Sequence, residues 1–235
     1  MIVVGIETST PQTSVAIGTE NEIVASASVA GRSRQEAVTP TLLQLLTWSG
    51  TDLHQVGGIA VGIGPGLFTG LRVGVQTAKT LAQVLNVPIV GISSLDGLAY
   101  GVRHTQRRIA SVVDARRGEV FFAVYRAVPG GVVRESEPVV ASPDHLVAEL
   151  EALTGEVLAV GNGAMLYRHE LETLGSRVEI GSSVLAHPEA AILVELAVPR
   201  FLREEHDRLV DVVPLYLRRS DAEIAWDQRA RGAPA

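Results

Sequence analysis

The chain passes through one order of elements twice, and this doubling restricts its fold more than any single motif. Residues 2–6 are an apolar run of strand length that ends on Glu7. Residues 14–18 and 22–29 read as two further strands, with turn chemistry around Pro11 between the first and second. A helical pattern covers 38–49, with Val38, Leu42 and Leu45 on one face, and 57–63 reads as a buried strand. The loop Gly64-Pro65-Gly66-Leu67-Phe68-Thr69-Gly70 then leads into a helix expected over 71–85. The second cycle starts with a strand at 109–113 that ends on Asp114, and turns at 115–118. It continues with strands at 119–127 and 132–140, a helix at 143–153 and a strand at 157–160. The loop Gly161-Asn162-Gly163-Ala164 and a helix to about residue 174 complete it. Strands alternating with helices, with an antiparallel hairpin at each start, give an α/β fold. Residues 92–108 join the cycles, with a short helix expected at 94–101, and a last helix, interrupted at Pro199, is expected over 188–208.

Composition narrows the function classes. Twenty Lys+Arg stand against 26 Asp+Glu, a net charge of −6, which disfavours a stand-alone nucleic-acid binder because phosphate contacts need surplus cations. Cysteine is absent, so disulfides, thiolate metal sites and a cysteine nucleophile are excluded. The six histidines contain no i, i+3 or i, i+4 pair for a helical metal site, and neither a Gly-x-Ser-x-Gly elbow nor a Walker A loop is present. With 46% hydrophobic and 20% charged residues the chain can bury a packed core. The first residues carry no basic region before their short apolar run, and no run approaches the ~18–20 residues of a membrane span. A cytoplasmic protein without membrane contact is the expectation.

Three features carry candidate chemistry. Gly64 and Gly66 bracket a proline, and Thr69 stands where it could cap the following helix, whose exposed amides would favour an anion. The plain alternative is a strand-to-helix turn. In the helix itself Gly70, Gly74, Ala78 and Ala82 recur every four residues beside Leu71 and Val75, which permits close approach of another backbone. The alternatives are packing on the chain's own sheet and a subunit interface; the near-complete apolar girdle, broken by Arg72, Gln76, Lys79 and Gln83, favours the interface. On that reading, Gly74→Leu or Ala78→Arg abolishes association and leaves the monomer folded. Third, Glu7 and Asp114 at strand ends could hold a metal or polarise water, although each taken singly reads as a local cap.

The doubled unit with strand-end acids and Gly loops is similar to the actin/Hsp70/sugar-kinase superfamily, and so implies two tandem actin-like (ASKHA, RNase H-like) subdomains. Four stretches narrow the resemblance: Ile6-Glu7-Thr8-Ser9, Gly64-Pro65-Gly66-Leu67-Phe68-Thr69-Gly70-Leu71-Arg72-Val73-Gly74, Asp114-Ala115-Arg116-Arg117-Gly118-Glu119-Val120 and Pro214-Leu215-Tyr216-Leu217-Arg218. Together, and in order along nearly the whole chain, they resemble the TsaB (YeaZ) family. The resemblance divides the chain into an N-terminal subdomain with interface helices at 1–101, a C-terminal subdomain at 102–210, and a docked segment with a disordered tail at 211–235.

The family implies a non-catalytic subunit. It supports a paralogous transferase, TsaD, and with the ATPase TsaE they place threonylcarbamoyl on N6 of adenosine 37 in tRNAs that read ANN codons. The implied partners are therefore TsaD and TsaE homologues, with a homodimer when the chain is alone and tRNA met only through the complex. The implied partner surface is the helix pair 34–49 and 71–85, which here means Val38, Leu42, Leu45, Gly70, Leu71, Gly74, Val75, Ala78 and Ala82. In TsaD a His-x-x-x-His metal motif follows the equivalent glycine loop. Counted from Asn86-Val87-Pro88 it falls on Ser94-Leu95-Asp96-Gly97-Leu98, so a serine and a leucine stand where the two imidazoles would be, and no metal is expected.

A nucleotide or anion loop would comprise Glu7, Thr8, Ser9, Gly64, Gly66, Thr69, Asp114, Arg116 and Arg117. Glu7 replaces the superfamily's commoner Asp, and two long cations crowd the second phosphate turn. The chain is thus expected to need no cofactor of its own, with ATP at the partner interface. The alternative is an autonomous ASKHA-type ATPase or small-molecule kinase using Glu7, Asp114 and the Gly loops.

Overall fold

The computed structural model describes residues 1–31 and 34–218. In chain order the strands and helices are β1 Ile2–Glu7, β2 Gln12–Gly18, β3 Ile23–Ala30, α1 Val38–Ser49, β4 Val56–Gly64, α2 Phe68–Leu85, β5 Ile89–Ser93 and α3 Ser94–Gly101. They continue with β6 Arg108–Arg116, β7 Glu119–Val128, β8 Gly131–Arg134, β9 Val139–Ala141, α4 Pro143–Ala152 and β10 Val157–Val160. The last are α5 Asn162–Leu166, α6 Arg168–Glu172, β11 Val178–Ile180 and α7 Ala190–Leu202.

Two sheets result, ordered β3-β2-β1-β4-β5 and β11-β10-β6-β7-β8, with β9 also on β7. In each, an antiparallel hairpin (β1–β2, β6–β7) is extended by parallel strands. This is the doubled actin-like arrangement.

β1 is central and covered on both faces, so its side chains alternate between two apolar layers rather than between core and water. Val4 and Ile6 meet Leu42, Leu45, Val75 and Ala78 of α1 and α2. Val3 faces the other way and packs with Leu193, Val194 and Ala197 of α7. Each such buried Val, Leu or Ile side chain stabilises the fold by about 1.5–3 kcal/mol. Glu189, just before α7, fixes that helix on the hairpin: its carboxylate accepts from Gln12 Nε2 at 2.7 Å, Ser14 Oγ at 2.8 Å and Ser28 Oγ at 2.6 Å.

Several expectations are corrected. The division at 101/102 does not follow the packing. Leu95, Leu98 and Ala99 of α3 pack with Ile109, Val113, Phe121 and Tyr125 of the second sheet, while α7, expected in the second subdomain, covers the first. Each lobe therefore takes a helix from the other's stretch of chain. β5 and β11 are additions: each is short and falls where the sequence pattern assigns no strand. The strand expected at 132–140 is two strands, because Pro138 lies between β8 and β9 and lacks a backbone donor. The helix expected to 174 breaks at Tyr167 into α5 and α6. α7 ends at Leu202, with Pro199 inside its last turn, and does not reach 208.

The docked segment is seen up to Arg218. Asp207 bridges Ile89 and its Oδ2 accepts from Gly91 N–H at 2.7 Å; Val212 is buried in the first core. The expected tail, and Arg219, lie outside the described residues. No helix of the described residues is long and apolar enough to cross a membrane.

Candidate functional site

The loop between β4 and α2 is pressed onto the β1–β2 turn. Leu67 N–H donates to Ser9 O at 2.7 Å, and Thr8 Oγ1 donates to Gly70 O at 2.8 Å. A Cβ on Gly66 would lie 2.3 Å from Ser9 O, so glycine is required by close approach of protein backbone, not of a ligand. The helix starts earlier than its pattern suggests, at Phe68. Its N-cap position is Leu67, in extended conformation, with no side-chain cap. Thr69 is therefore inside the first turn and exposed, which corrects its expected role as the cap.

The two strand-end acids are engaged by the chain's own groups. Glu7 is 1% exposed; its Oε1 accepts from Ser9 N–H at 2.6 Å and its Oε2 from Ser94 Oγ at 2.9 Å. Burial pushes its carboxyl above the ordinary value, against the opposing pull of those hydrogen bonds. Asp114 is 6% exposed; its Oδ1 accepts from Arg116 N–H at 2.8 Å and its Oδ2 lies 3.3 Å from Arg116 Nη1. Asp114 is a local cap, the bland reading, while Glu7 caps Ser9 and also ties the end of β1 to the start of α3 through Ser94. Among the described residues no group of three His, Cys, Asp or Glu could hold a metal ion.

The nine residues assigned to the partner surface are all buried within the chain itself. Val38, Leu42, Leu45, Val75, Ala78 and Ala82 belong to the first core. Leu71 is fully buried, Gly70 receives the Thr8 hydroxyl, and a Cβ on Gly74 would meet Thr8 Oγ1 at 2.1 Å. The stripe of small residues thus serves helix-on-sheet packing, the plainer of the two readings. A partner can reach only the other faces of α1 and α2, where Leu43, Trp48, Phe68 and Val84 are exposed. These apolar side chains escaped the sequence reading because they break the periodic stripe that marks a core.

Arg116 and Arg117 take left-handed backbone conformations (φ 64° and 59°) at the β6–β7 turn. Their turn and the start of α2 border a cavity of about 510 Å³ whose walls include Phe68, Arg72, Arg116, Arg117, Tyr216 and Arg218. Phe68 and Tyr216 are 5.2 Å apart between ring centroids, and Arg72 lies 5.0 Å from the Phe68 centroid. Of the expected nucleotide or anion loop, Gly66, Thr69, Arg116 and Arg117 line this cavity. Glu7, Thr8 and Ser9 do not, being buried beneath the loop. Gly64 and Asp114 are also outside its lining. Phe68, Arg72, Tyr216 and Arg218 were missed as site residues, although all four lie in two of the four motifs that carry the family resemblance.

The family model described as "TsaD: tRNA N6-adenosine threonylcarbamoyltransferase" matches residues 21–226. The chain is 31% identical over 232 residues to the Bacillus subtilis protein named tRNA threonylcarbamoyladenosine biosynthesis protein TsaB, covering 96% of this chain and 98% of that one. It is 29% identical over 229 residues to the Escherichia coli protein of the same name, covering 96% and 97%. A solved structure titled YeaZ from Pseudomonas aeruginosa superposes with a TM-score of 0.79 at 27% identity, over 92% of this chain and 99% of that one. The chain belongs to the family which that model describes and, by its full-length relatives, to the TsaB (YeaZ) group within it.

Proposed function

We propose that this chain acts in the biosynthesis of N6-threonylcarbamoyladenosine at position 37 of tRNAs reading ANN codons, as a non-catalytic subunit. It binds and supports a TsaD-type transferase, with a TsaE-type ATPase as the third protein. The observation that carries this reading is the Ser94–Glu7 hydrogen bond of 2.9 Å. Where the resembled transferase has the first of its two metal-binding histidines, this chain has a fully buried serine that closes on a buried carboxylate. At the second such position Leu98 is part of the second core. Both positions serve packing.

The partner surface is the exposed apolar side of α1 and α2, with Leu43, Trp48, Phe68 and Val84 as anchors, and the same side closes a homodimer when the chain is alone. The cationic cavity beside Phe68 takes the phosphates of ATP at the edge of that surface. tRNA is met through the complex. The chain's net charge of −6 supports this, since phosphate contacts along a nucleic acid need surplus cations.

The deciding experiment is reconstitution of threonylcarbamoyl transfer to tRNA from the transferase and the ATPase, with and without this chain. Modification is expected to fall to background on omission. Undiminished modification would overturn the proposal.

A further inference from the structure

We propose that residues 212–218 are a latch joining the two lobes across the cationic cavity, and that a polyphosphate chain seated among Arg72, Arg116 and Arg218 tightens it. The second half of this statement rests on the reading that phosphates occupy the cavity.

The segment grips both lobes within a few residues. On the first lobe Val212 enters the core, and Lys79 Nζ donates to Val212 O at 3.1 Å. Leu215 N–H donates to Ile63 O at 2.7 Å, and Tyr216 packs on Phe68. On the second lobe Leu217 packs against the core of α3 and β6, and Arg218 Nη1 donates to Glu119 Oε2 at 2.8 Å. Glu119 is the register partner of Arg116 across the β6–β7 turn. From Leu215 to Arg218 the backbone reaches at most about 11 Å when fully extended. So little chain leaves no slack, and the lobes cannot part at this edge without breaking one of the two grips.

The same closure brings like charges together. Arg72 is carried by α2 on the first lobe, Arg116 by the turn on the second, and Arg218 by the strap between them. Asp114 beside Arg116 and Glu119 beside Arg218 offset part of this charge; the repulsion that remains opposes closure and strengthens as water is excluded. A polyanion among them offsets that repulsion only when the lobes are close. It therefore binds the latched state better and shifts the population toward it. By reciprocity, seating the latch raises affinity for the polyanion by the same factor.

The test is hydrogen exchange on the full chain, reading the amides of 212–218, with tripolyphosphate and with ATP–Mg as probes. Binding of each probe is measured by titration calorimetry. Both probes are expected to slow exchange of the segment in the wild type by roughly fivefold or more. Glu119→Gln, which lies outside the cavity lining, is expected to exchange faster without ligand and to bind tripolyphosphate more weakly. Lys79→Met, also outside the cavity lining and without the bond to Val212 O, repeats the comparison should Glu119→Gln fold poorly. Binding of tripolyphosphate with no change in exchange overturns the latch and leaves the cavity assignment standing. Absence of binding by either probe overturns the cavity assignment and the tightening with it. An effect of ATP that tripolyphosphate lacks overturns the assignment to the phosphate chain.

Discussion

The Thr8 hydroxyl occupies the space that a side chain at Gly74 would need: an added Cβ would lie 2.1 Å from Thr8 Oγ1, and the same hydroxyl donates to Gly70 O at 2.8 Å. One glycine therefore sets how closely α2 can approach the end of β1. Gly74→Ala is expected to cost about 1–3 kcal/mol, the usual penalty for overpacking. Gly74→Leu is expected to prevent folding of the monomer. Because Thr8 Oγ1 is the one neighbour closer than 3.0 Å, with Thr8 Cβ and Cγ2 at 3.2 and 3.3 Å, Thr8→Ala should recover part of the loss in the Gly74→Ala background. Urea unfolding of the four chains of that cycle measures the coupling. Gly74→Ala with unchanged stability and lost partner binding would return the stripe to the interface.

The partner surface makes the opposite prediction for residues a few positions away. Leu45 is 1% exposed and Trp48 is 71% exposed on the same helix. Leu45→Ala is expected to cost about 2–5 kcal/mol of stability, as for other buried leucines. Trp48→Ala and Val84→Arg are expected to stay within about 0.5 kcal/mol of the wild type. They should weaken association with a TsaD-type partner at least tenfold, as aromatic anchors do. Calorimetric titration of the partner separates the two classes; wild-type affinity in both surface variants would move the surface elsewhere.

The contrast shows what was legible in the sequence. The strand and helix order was readable because β1, β4 and β6 are apolar runs and α1, α2 and α4 keep their period. Which helix covers which sheet was not readable. α3 and α7 each carry an apolar face that fits either lobe, and only packing at Leu95 and Leu193 decides between them. The glycine loop was found by its residues, with a plain turn and an anion cradle both left open as its role. Spacing says that a backbone approaches closely at Gly66 and Gly74, not whether that neighbour is a ligand, a partner or Thr8 and Ser9. The Glu7–Ser94 pair joins positions 87 residues apart, and nothing local announces it.

Arg116 should dominate anion binding in the cavity. Its backbone N–H and guanidinium already engage Asp114, so it is held at the cavity edge with little further ordering needed. Arg116→Ala is expected to weaken tripolyphosphate binding roughly tenfold or more, the worth of one charge-assisted hydrogen bond. Stability should change little, since the residue sits at an exposed turn. Raising ionic strength should weaken wild-type binding more than that of the variant, because screening acts on the charge removed. Calorimetric titrations at two salt concentrations test both statements. Equal affinity of the two chains would exclude Arg116 from the site.

Glu7 gives a pH signature of its own. Burial raises its folded-state pKa above the ordinary value of 4.5, so the folded chain binds this proton more tightly than the unfolded one. Below the unfolded value the contribution to stability is fully present. As pH rises through the interval up to the raised folded value it is lost, and above that interval the ionised carboxylate remains a constant burden. Glu7→Gln removes the titration and keeps the shape. Its amide oxygen can still accept from Ser9 N–H, and its amide nitrogen can donate to Ser94 Oγ if that hydroxyl turns to accept. Relative to Glu7→Gln, the wild type is expected to lose stability as pH rises above 4.5. Urea midpoints of both chains across that range decide it. A wild type that gains on the variant as pH rises would mean that Glu7 is held as a carboxylate, and that the two donors outweigh its burial.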